Sequence, residues 1–376
     1  MNILCLDYCM SNFHNLVELA HDGHAVYMTG SDPDVAREYY DSLGITVLDV
    51  ETSTKGSLLD QFMKENKIDL IINQNPMMPI PHHWRKDYEV IGLNELSSNL
   101  ETHKLWCRTE VEKLGVPVPK LLDRVTAPCV VKPNKILHDG KVHCAMVALD
   151  DDAIKWVKYM WGVKGIPYYI EEYIEGTETN IEFVVSRGNW SISHIQASTG
   201  EGKSKRAGQY SYYTKYLKYK EVSDGDRFII FEETEKVLDW IASLGGSFQG
   251  QLTGIIRNGK WYFVEVNSRL AENNSTPIFV RGNQYLRSLR EGDPDLLADA
   301  IYCADMEKIV VHPRFRDSVY PINLHEKYGV SIPCGLDIVD GDYIVPKQVG
   351  LVIIDDHIPS GFVKELKNNL EFIVSP

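Results

Sequence analysis

The sequence predicts a multidomain protein of mixed α/β and α+β class, and three observations carry that expectation. Short apolar strands alternate with helical stretches through roughly the first hundred residues, the rhythm of a parallel α/β unit. The middle of the chain holds longer strands joined by Gly-containing turns, and the C-terminal stretch holds short strands at Val310 to Val311, Tyr343 to Val345 and Val349 to Ile354, around Gly341 and Gly350, with a final helix near Gly361 to Asn368. These shifts divide the chain into an N-terminal α/β domain over 1–97, a larger central domain over 98–304 and a small C-terminal α+β region over 305–376.

In the first domain, Ile3 to Asp7, Ala25 to Thr29, Thr46 to Val50 and Leu70 to Asn73 read as strands, with helical stretches such as Asn15 to Ala20 and Leu58 to Asn66 between them. After the first strand stands Asp7-Tyr-Cys-Met-Ser-Asn12 in place of a Gly-x-Gly-x-x-Gly, which disfavours dinucleotide binding there. Pro76, Pro79 and Pro81 then break the pattern around His82 and His83, which lack acidic or cysteine neighbours at ligand spacing and read as a plain loop.

In the central domain, Ser98 followed by Glu101 has the spacing of a capping box, and Leu100, Cys107, Val111 and Leu114 set a helix over about 99–114 that Gly115 ends. Cys129-Val-Val-Lys132-Pro133 reads as a strand whose end, restricted by the proline, directs Lys132 at a cleft ahead of the polar loop Asn134 to Lys141. Tyr168 to Ile174 is a strand running into the turn Glu175-Gly176, and Asn180 to Val185 and Trp190 to Gln196 flank a hairpin turn at Arg187-Gly-Asn189. Thr199 to Lys220 is locally basic in an acidic chain and reads equally as a solvated loop or as a lid for anionic groups. A helix over Asp226 to Leu244 stops at Gly245-Gly246.

Composition narrows the class. With 376 residues, 44% hydrophobic and 10% aromatic, the chain can bury a substantial core. A formal charge of -14 argues against a general nucleic-acid binder, because a phosphate backbone would be repelled. Seven scattered cysteines without a Cys-x-x-Cys pair fit a reducing cytoplasm. The N-terminal Asn2 to Leu6 has the character of a strand instead of a signal peptide, and no apolar run has bilayer-spanning length, so no membrane partner is expected.

The chemistry is concentrated in Trp261-Tyr-Phe-Val-Glu265-Val-Asn267-Ser-Arg269. On a strand, residues two apart share a face, so a carboxylate, an amide and a guanidinium point together. That set suits divalent cations bridging nucleotide phosphates, with Arg269 facing charge that develops on a transferred phosphoryl group. On its own it reads better as a salt bridge between Glu265 and Arg269 on an exposed sheet face.

Two registers compete for the hairpin around Arg257-Asn258-Gly259-Lys260. A two-residue loop sets Leu252 opposite Glu265. A three-residue loop with a bulge at Gly259 sets Gln251 opposite Glu265 and Gln249 opposite Asn267, and gathers Leu252, Ile256, Tyr262, Val264 and Val266 on one apolar face. The second is preferred and makes Gln251 a further oxygen donor to the cation, with Thr253 the candidate in any other register.

From about residue 100 to 276 these parts resemble, in the same order, those of the ATP-grasp ligases. Lys104 and Lys132 look like the two nucleotide lysines of that family, Lys132 holding the α and β phosphates. Glu171-Glu172-Tyr173-Ile174 resembles the hinge whose backbone meets the adenine edge, Glu178 falls at the ribose carboxylate, and Glu265-Val-Asn267-Ser-Arg269 resembles the metal and phosphate strand. The Glu-Glu-aromatic-aliphatic-x-Gly-x-Glu pattern and the domain layout are similar to the glycinamide ribonucleotide synthetases. Leu270-Ala-Glu272-Asn273-Asn274-Ser275-Thr276 is closer in character to carbamoyl-phosphate synthetases, and the loop after Lys132 has only Gly140 where relatives are glycine-rich.

The resemblance implies the ATP-grasp fold, ATP with Mg²⁺ or Mn²⁺, and small-molecule carboxylate and amine substrates joined through an acylphosphate. Glu265, Asn267 and Gln251 would hold the metal, and Arg269 would stabilise the transferred phosphoryl group. The alternative is a non-catalytic nucleotide-binding sensor or partner module on the same fold. The C-terminal region either completes the substrate site or forms the surface of a homo-oligomer.

Overall fold

The structure, a computed structural model, describes residues 1–6, 16, 19–29, 40–41, 44–48, 57–73, 75–77, 80–134, 146–148, 150–151, 154–155, 165, 167–198, 213–217, 224–269, 290, 306–311, 334–339 and 343–354. Five parallel strands come first: β1 (Asn2–Leu6), β2 (Ala25–Thr29), β3 (Ile45–Leu48), β4 (Leu70–Asn73) and β5 (Glu89–Gly92). They lie in the order β3-β2-β1-β4-β5. The unbroken apolar run Leu70-Ile-Ile is buried throughout, as a strand covered on both faces requires. Helix α1 (Ser57–Glu65) lays Leu59 and Met63 into a core with Leu4, Ile71 and Trp84, the last of these opening the short helix α2 (Trp84–Asp87). Strand β5 escaped the sequence reading because only Ile91 and Gly92 of its four residues are buried. The expected helix over Asn15 to Ala20 falls largely outside the described residues.

The single helix expected over about 99–114 is two: α3 (Glu95–Thr102) and α4 (Lys104–Lys113), broken at His103, whose φ of -120° and ψ of 68° are not helical. The capping box is one turn earlier than expected. Asn94 Oδ1 accepts from the Ser97 amide at 2.8 Å, and Ser97 Oγ accepts from the Asn94 amide at 2.9 Å. Glu101 is thereby released from capping and serves the site described below.

Strands β6 (Cys129–Pro133), β7 (Met146–Ala148) and β8 (Tyr168–Glu172) make a small antiparallel sheet in the order β7-β6-β8. The chain then builds β9 (Thr177–Ser186), β10 (Asn189–Ser198), β11 (Tyr213–Leu217), helix α5 (Asp224–Ser243), β12 (Ser247–Arg257) and β13 (Lys260–Asn267). Strand β12 pairs with β9, with β13 and, through Ser247 and Gly92, with β5, so the parallel and antiparallel parts form one sheet. At the other end, β14 (Met306–Val311), β15 (Cys334–Val339) and β16 (Tyr343–Ile354) extend it beyond β11, to thirteen strands among the described residues. The two short strands expected around Gly350 are thus the single β16, and the helix expected near Gly361 to Asn368 lies outside the described residues. Of the basic segment Thr199 to Lys220, the described part is β11.

One face of β9, β12 and β13 packs on α4 and α5 through Ile181, Phe183, Leu252, Trp261, Phe263 and Val266. Gly254 makes room there: a β-carbon on it would stand 2.1 Å from the Trp261 ring. The Trp261 Nε1–H donates to Thr179 Oγ1 at 2.9 Å, so its one polar atom is satisfied inside the core.

The preferred β12–β13 register is not the one found. Arg257 pairs with Lys260 around a two-residue turn whose Asn258 and Gly259 have φ of 51° and 71°, the left-handed pair that a tight hairpin demands. A bulge between Thr253 and Gly254 then leaves Val264 as an extra residue on β13, setting Thr253 opposite Glu265 and Gln251 opposite Asn267. The cause is parity. Trp261, Phe263 and Val266 all enter one core, yet the first two are odd-numbered and the third even, and only an inserted residue brings them to one face. Tyr262 and Val264 accordingly lie off the face occupied by Val266.

Candidate nucleotide and ligase site

Past the bulge, Glu265 and Asn267 turn away from the core, to the side where β12 carries Gln249, Gln251 and Thr253 and β9 carries Asn180 and Glu182. Backbone pairing sets these in cross-strand rows, Asn180–Thr253–Glu265 and Glu182–Gln251–Asn267. Thr253 Oγ1 donates to Asn180 Oδ1 at 2.9 Å. Gln251 Nε2 donates to Glu182 Oε1 at 2.5 Å, and Gln251 Oε1 accepts from Asn267 Nδ2 at 3.4 Å. The amide of Gln251 is therefore oriented with its oxygen towards Asn267.

Three cations converge on this polar face, each held by a carboxylate. Lys104, the first residue of α4, donates from Nζ to Glu265 Oε2 at 2.8 Å. Lys132 Nζ lies 2.7 Å from Glu171 Oε2 and donates to the Val264 carbonyl at 2.8 Å. That carbonyl belongs to the bulge residue, which the ladder leaves out, so the irregularity that turns Glu265 outward also supplies the contact between β6 and β13. Arg269 donates from Nε to Glu101 Oε1 at 2.9 Å, while Glu101 Oε2 accepts from the Ser268 amide at 3.0 Å.

Glu171 is shared. Its Oε1 accepts from Arg108 Nε at 2.9 Å, and Arg108 continues to the Pro119 carbonyl at 2.6 Å and to Glu112 at 2.8 Å. Glu171, Lys132 and Arg108 are each at least 97% removed from solvent as side chains, so the pairing is what lets these charges be buried. Burial raises the pKa of Glu265, but the charges of Lys104 and Lys132, the hydrogen bond from Lys104 and the charge of Arg269 outweigh it and hold the carboxyl below its ordinary value. Tyr169 moves the opposite way: burial first, then the charges of Glu171 and Glu265, keep its phenol protonated.

The small sheet offers a second surface. In register, Val147, Val130, Glu171 and Leu121 make one row across it, and Lys132 and Tyr169, two residues along, make the next on the same face. Val147 is 50% and Leu121 44% exposed, apolar groups left open beside a buried lysine. Such a wall suits a planar base, with the charges placed beyond it for its phosphates. Downstream of Glu171, Glu172 is fastened by its amide to the Lys120 carbonyl and by its Oε1 to the Lys120 amide, both at 2.9 Å. Ile174 is buried and Tyr173 half-buried, while Glu178 pairs with Ile255 on β9 and β12.

The expected residues are thus brought together in two joined groups, Lys104 with Glu265, Asn267 and Gln251, and Lys132 with Glu171. Sequence reasoning missed Arg108, Tyr169, Leu121 and Val147, which carry no motif, and took Glu101 for a cap. His83 Nε2 lies 3.5 Å from Asp60, and among the described residues no group of three or more His, Cys, Asp or Glu is assembled that could hold a metal.

This architecture is the ATP-grasp fold, with the small sheet joined to the larger one where Lys132 meets the Val264 carbonyl. Among solved structures, the chain is similar to a carboxyaminoimidazole ribonucleotide synthase from Aspergillus clavatus complexed with ATP, with TM-score 0.71 and 12% identity over 99% of this chain and 98% of that one. An L-amino acid ligase from Bacillus licheniformis gives 0.68 at 13% identity, covering 99% and 97%. A phosphoribosylamine–glycine ligase from Thermotoga maritima gives 0.65 at 15% identity, covering 99% and 96%. At these identities the likeness is one of fold. No family model matches the chain. One curated protein, a processive diacylglycerol beta-glucosyltransferase of Bacillus licheniformis, is 33% identical over 78 residues, 20% of this chain and 20% of that enzyme. The chain thus matches about a fifth of that relative's length.

Proposed function

We propose that the protein is an ATP-dependent carboxylate–amine ligase that forms an amide through an acylphosphate. The observation that carries this reading is the strand face on which Glu265 and Asn267 stand beside Lys104, with Arg269 at the strand's end. A nucleotide-binding module needs the lysines and the base wall, whereas groups facing a transferred phosphoryl are of use to a catalyst. The L-amino acid ligase and phosphoribosylamine–glycine ligase that share the fold bear names of the same reaction class.

In this reading Leu121, Val130 and Val147 receive the adenine, the backbone from Glu171 to Ile174 meets its edge, and Glu178 reaches the ribose. Lys132 and Lys104 bind the phosphates. The donors facing the phosphate region are oxygens of one carboxylate and two amides, Glu265, Asn267 and Gln251. That set fits Mg²⁺ (or Mn²⁺) carried largely by nucleotide phosphates and does not amount to a cage for a tightly held ion. When bound, such an ion offsets charge on the β and γ phosphates. The chain's own part is positioning: Glu265 is kept ionised by its lysines, Arg269 is kept in place by Glu101, and the substrate carboxylate attacks the γ-phosphorus. The amine then displaces phosphate from the acylphosphate.

The test is phosphate release from Mg²⁺ and ATP across pools of carboxylates and amines, with Glu265→Ala as control. Release that needs both substrates and disappears in the variant supports the ligase. The single-carboxylate donor set speaks for the second reading, a nucleotide-binding module without turnover. ATP binding with no phosphate release on any pool would establish it. Soluble, cytoplasmic function belongs to the same proposal, and no helix among the described residues is long and apolar enough to cross a membrane.

A further inference from the structure

Gln249 is 1% exposed, and neither its Nε2 nor its Oε1 has a hydrogen-bond partner. A buried carboxamide with donor and acceptor both unmet is costly, and a strand interior would normally hold an apolar side chain there. Its place explains the exception. Gln249 lies two residues before Gln251 and so on the same face of β12, the face that carries the polar rows. The rows advance from Thr253 opposite Glu265 to Gln251 opposite Asn267. Gln249 stands two residues before Gln251 on β12, opposite Val184 of β9, and Arg269 follows Asn267 by two residues past the end of β13. Next to Gln249 along this face, Glu182 on β9 is fully buried, its Oε1 accepting from Gln251.

We infer that Gln249 is the seat of the acyl acceptor, a small primary amine, in the ligase reaction, an inference that rests on the proposed function. The amide presents one acceptor and one donor side by side. The acceptor takes an N–H of the incoming amine and aims its lone pair at the acyl carbon, and the donor meets a polar group elsewhere on the amine. The carboxyl of Glu182 one row away, itself a hydrogen-bond acceptor, favours a neutral N–H-bearing amine over a second carboxylate. Gln249 is neutral and takes no proton. In the step it serves, the C–N bond forms as the C–O bond to phosphate breaks, and the proton lost by nitrogen leaves with the phosphate. Gln249 is therefore a specificity-determining residue and not an acid or base.

The test compares wild type with Gln249→Met, an apolar side chain of similar volume. Amino acids and short dicarboxylic acids are supplied as a carboxylate pool, with hydroxylamine at saturating concentration as one acceptor and the amino acids as the other. Hydroxamate formation reports acylphosphate chemistry with a nucleophile too small to need a seat. The expected result is hydroxamate formation within about twofold of wild type and a KM for the amino-acid amine raised about tenfold or more, the cost of leaving a bound polar group unpaired. The ligand-free melting midpoint of the variant is not lowered, because the amide gives up no bond within the protein. An unchanged KM for the amine overturns the inference and assigns the amide to bound water. A variant that melts earlier or fails to fold also overturns it, by showing Gln249 to be structural. If wild type itself forms no ATP-dependent hydroxamate with any carboxylate, the ligase reading fails and takes this inference with it, a result distinct from the other two.

Discussion

Lys104 and Glu265 are separated by 161 positions in the chain and by 2.8 Å in space. The bond joins the first residue of a helix to the residue that follows a strand bulge, and it holds the most important carboxylate of the site in its ionised form. Burial opposes ionisation, and the lysines overcome it. A carboxyl with a lowered pKa favours the assembled site at every pH above the ordinary carboxylate value, and that contribution fades as pH falls through the lowered one. Lys104→Met should return the Glu265 pKa upward, towards the ordinary carboxylate value, since burial then acts with less opposition. Carbon-detected NMR titration of the glutamate carboxyls reads this directly, and an unmoved resonance would separate the two residues in solution.

The buried group of Lys132, Glu171 and Arg108 leads to a second expectation. Glu171→Gln removes the charge that two buried cations share, while Glu172→Gln touches a side chain bound only to one backbone amide. The first should lower stability by about 3–5 kcal/mol, and the second by no more than about 1 kcal/mol. Equilibrium urea unfolding of the two variants decides it; equal losses would contradict the account of the triad.

A third concerns packing on the opposite face of the sheet. Gly254→Ala places a β-carbon 2.1 Å from the Trp261 ring in a strand that cannot shift without disturbing the bulge. A loss of about 1–3 kcal/mol or more is expected, measured as a lower urea midpoint with an unchanged slope.

Much of this was legible in the sequence. Glu265 and Asn267 were readable on one face because strand periodicity aligns them, while β13 ends before Arg269, and Lys132 was readable at a strand's end because of the proline after it. The register was not, although its cause was in view. Trp261 and Phe263 demand one parity and Val266 the other, so a bulge was required, but the reading assigned it to the turn at Gly259 and buried Tyr262 and Val264 instead. Glu101 was misread for a related reason: Ser98 and Glu101 fit a cap, yet Asn94 and Ser97 fit it one turn earlier and left Glu101 for Arg269. Arg108 and Tyr169 were beyond reach, since their roles come from contacts between distant segments and no local pattern records these.

The tie between Glu101 and Arg269 carries a kinetic expectation. Arg269→Ala should lower kcat by roughly 10²-fold or more while nucleotide affinity changes little. Glu101→Gln should lower kcat less, because Arg269 remains but loses its fixed partner. Steady-state kinetics with calorimetric ATP binding separates these outcomes, and a proportionate loss of ATP affinity in Arg269→Ala would place Arg269 in ground-state binding.

The most direct test of the acylphosphate follows an oxygen atom. With a carboxylate substrate labelled with oxygen-18 in both positions, turnover in the presence of Mg²⁺, ATP and the amine should deliver one labelled oxygen into each inorganic phosphate released, seen by mass spectrometry or the phosphorus isotope shift. Phosphate that takes its new oxygen from water instead would show hydrolysis of ATP without carboxylate activation, and would contradict the ligase assignment.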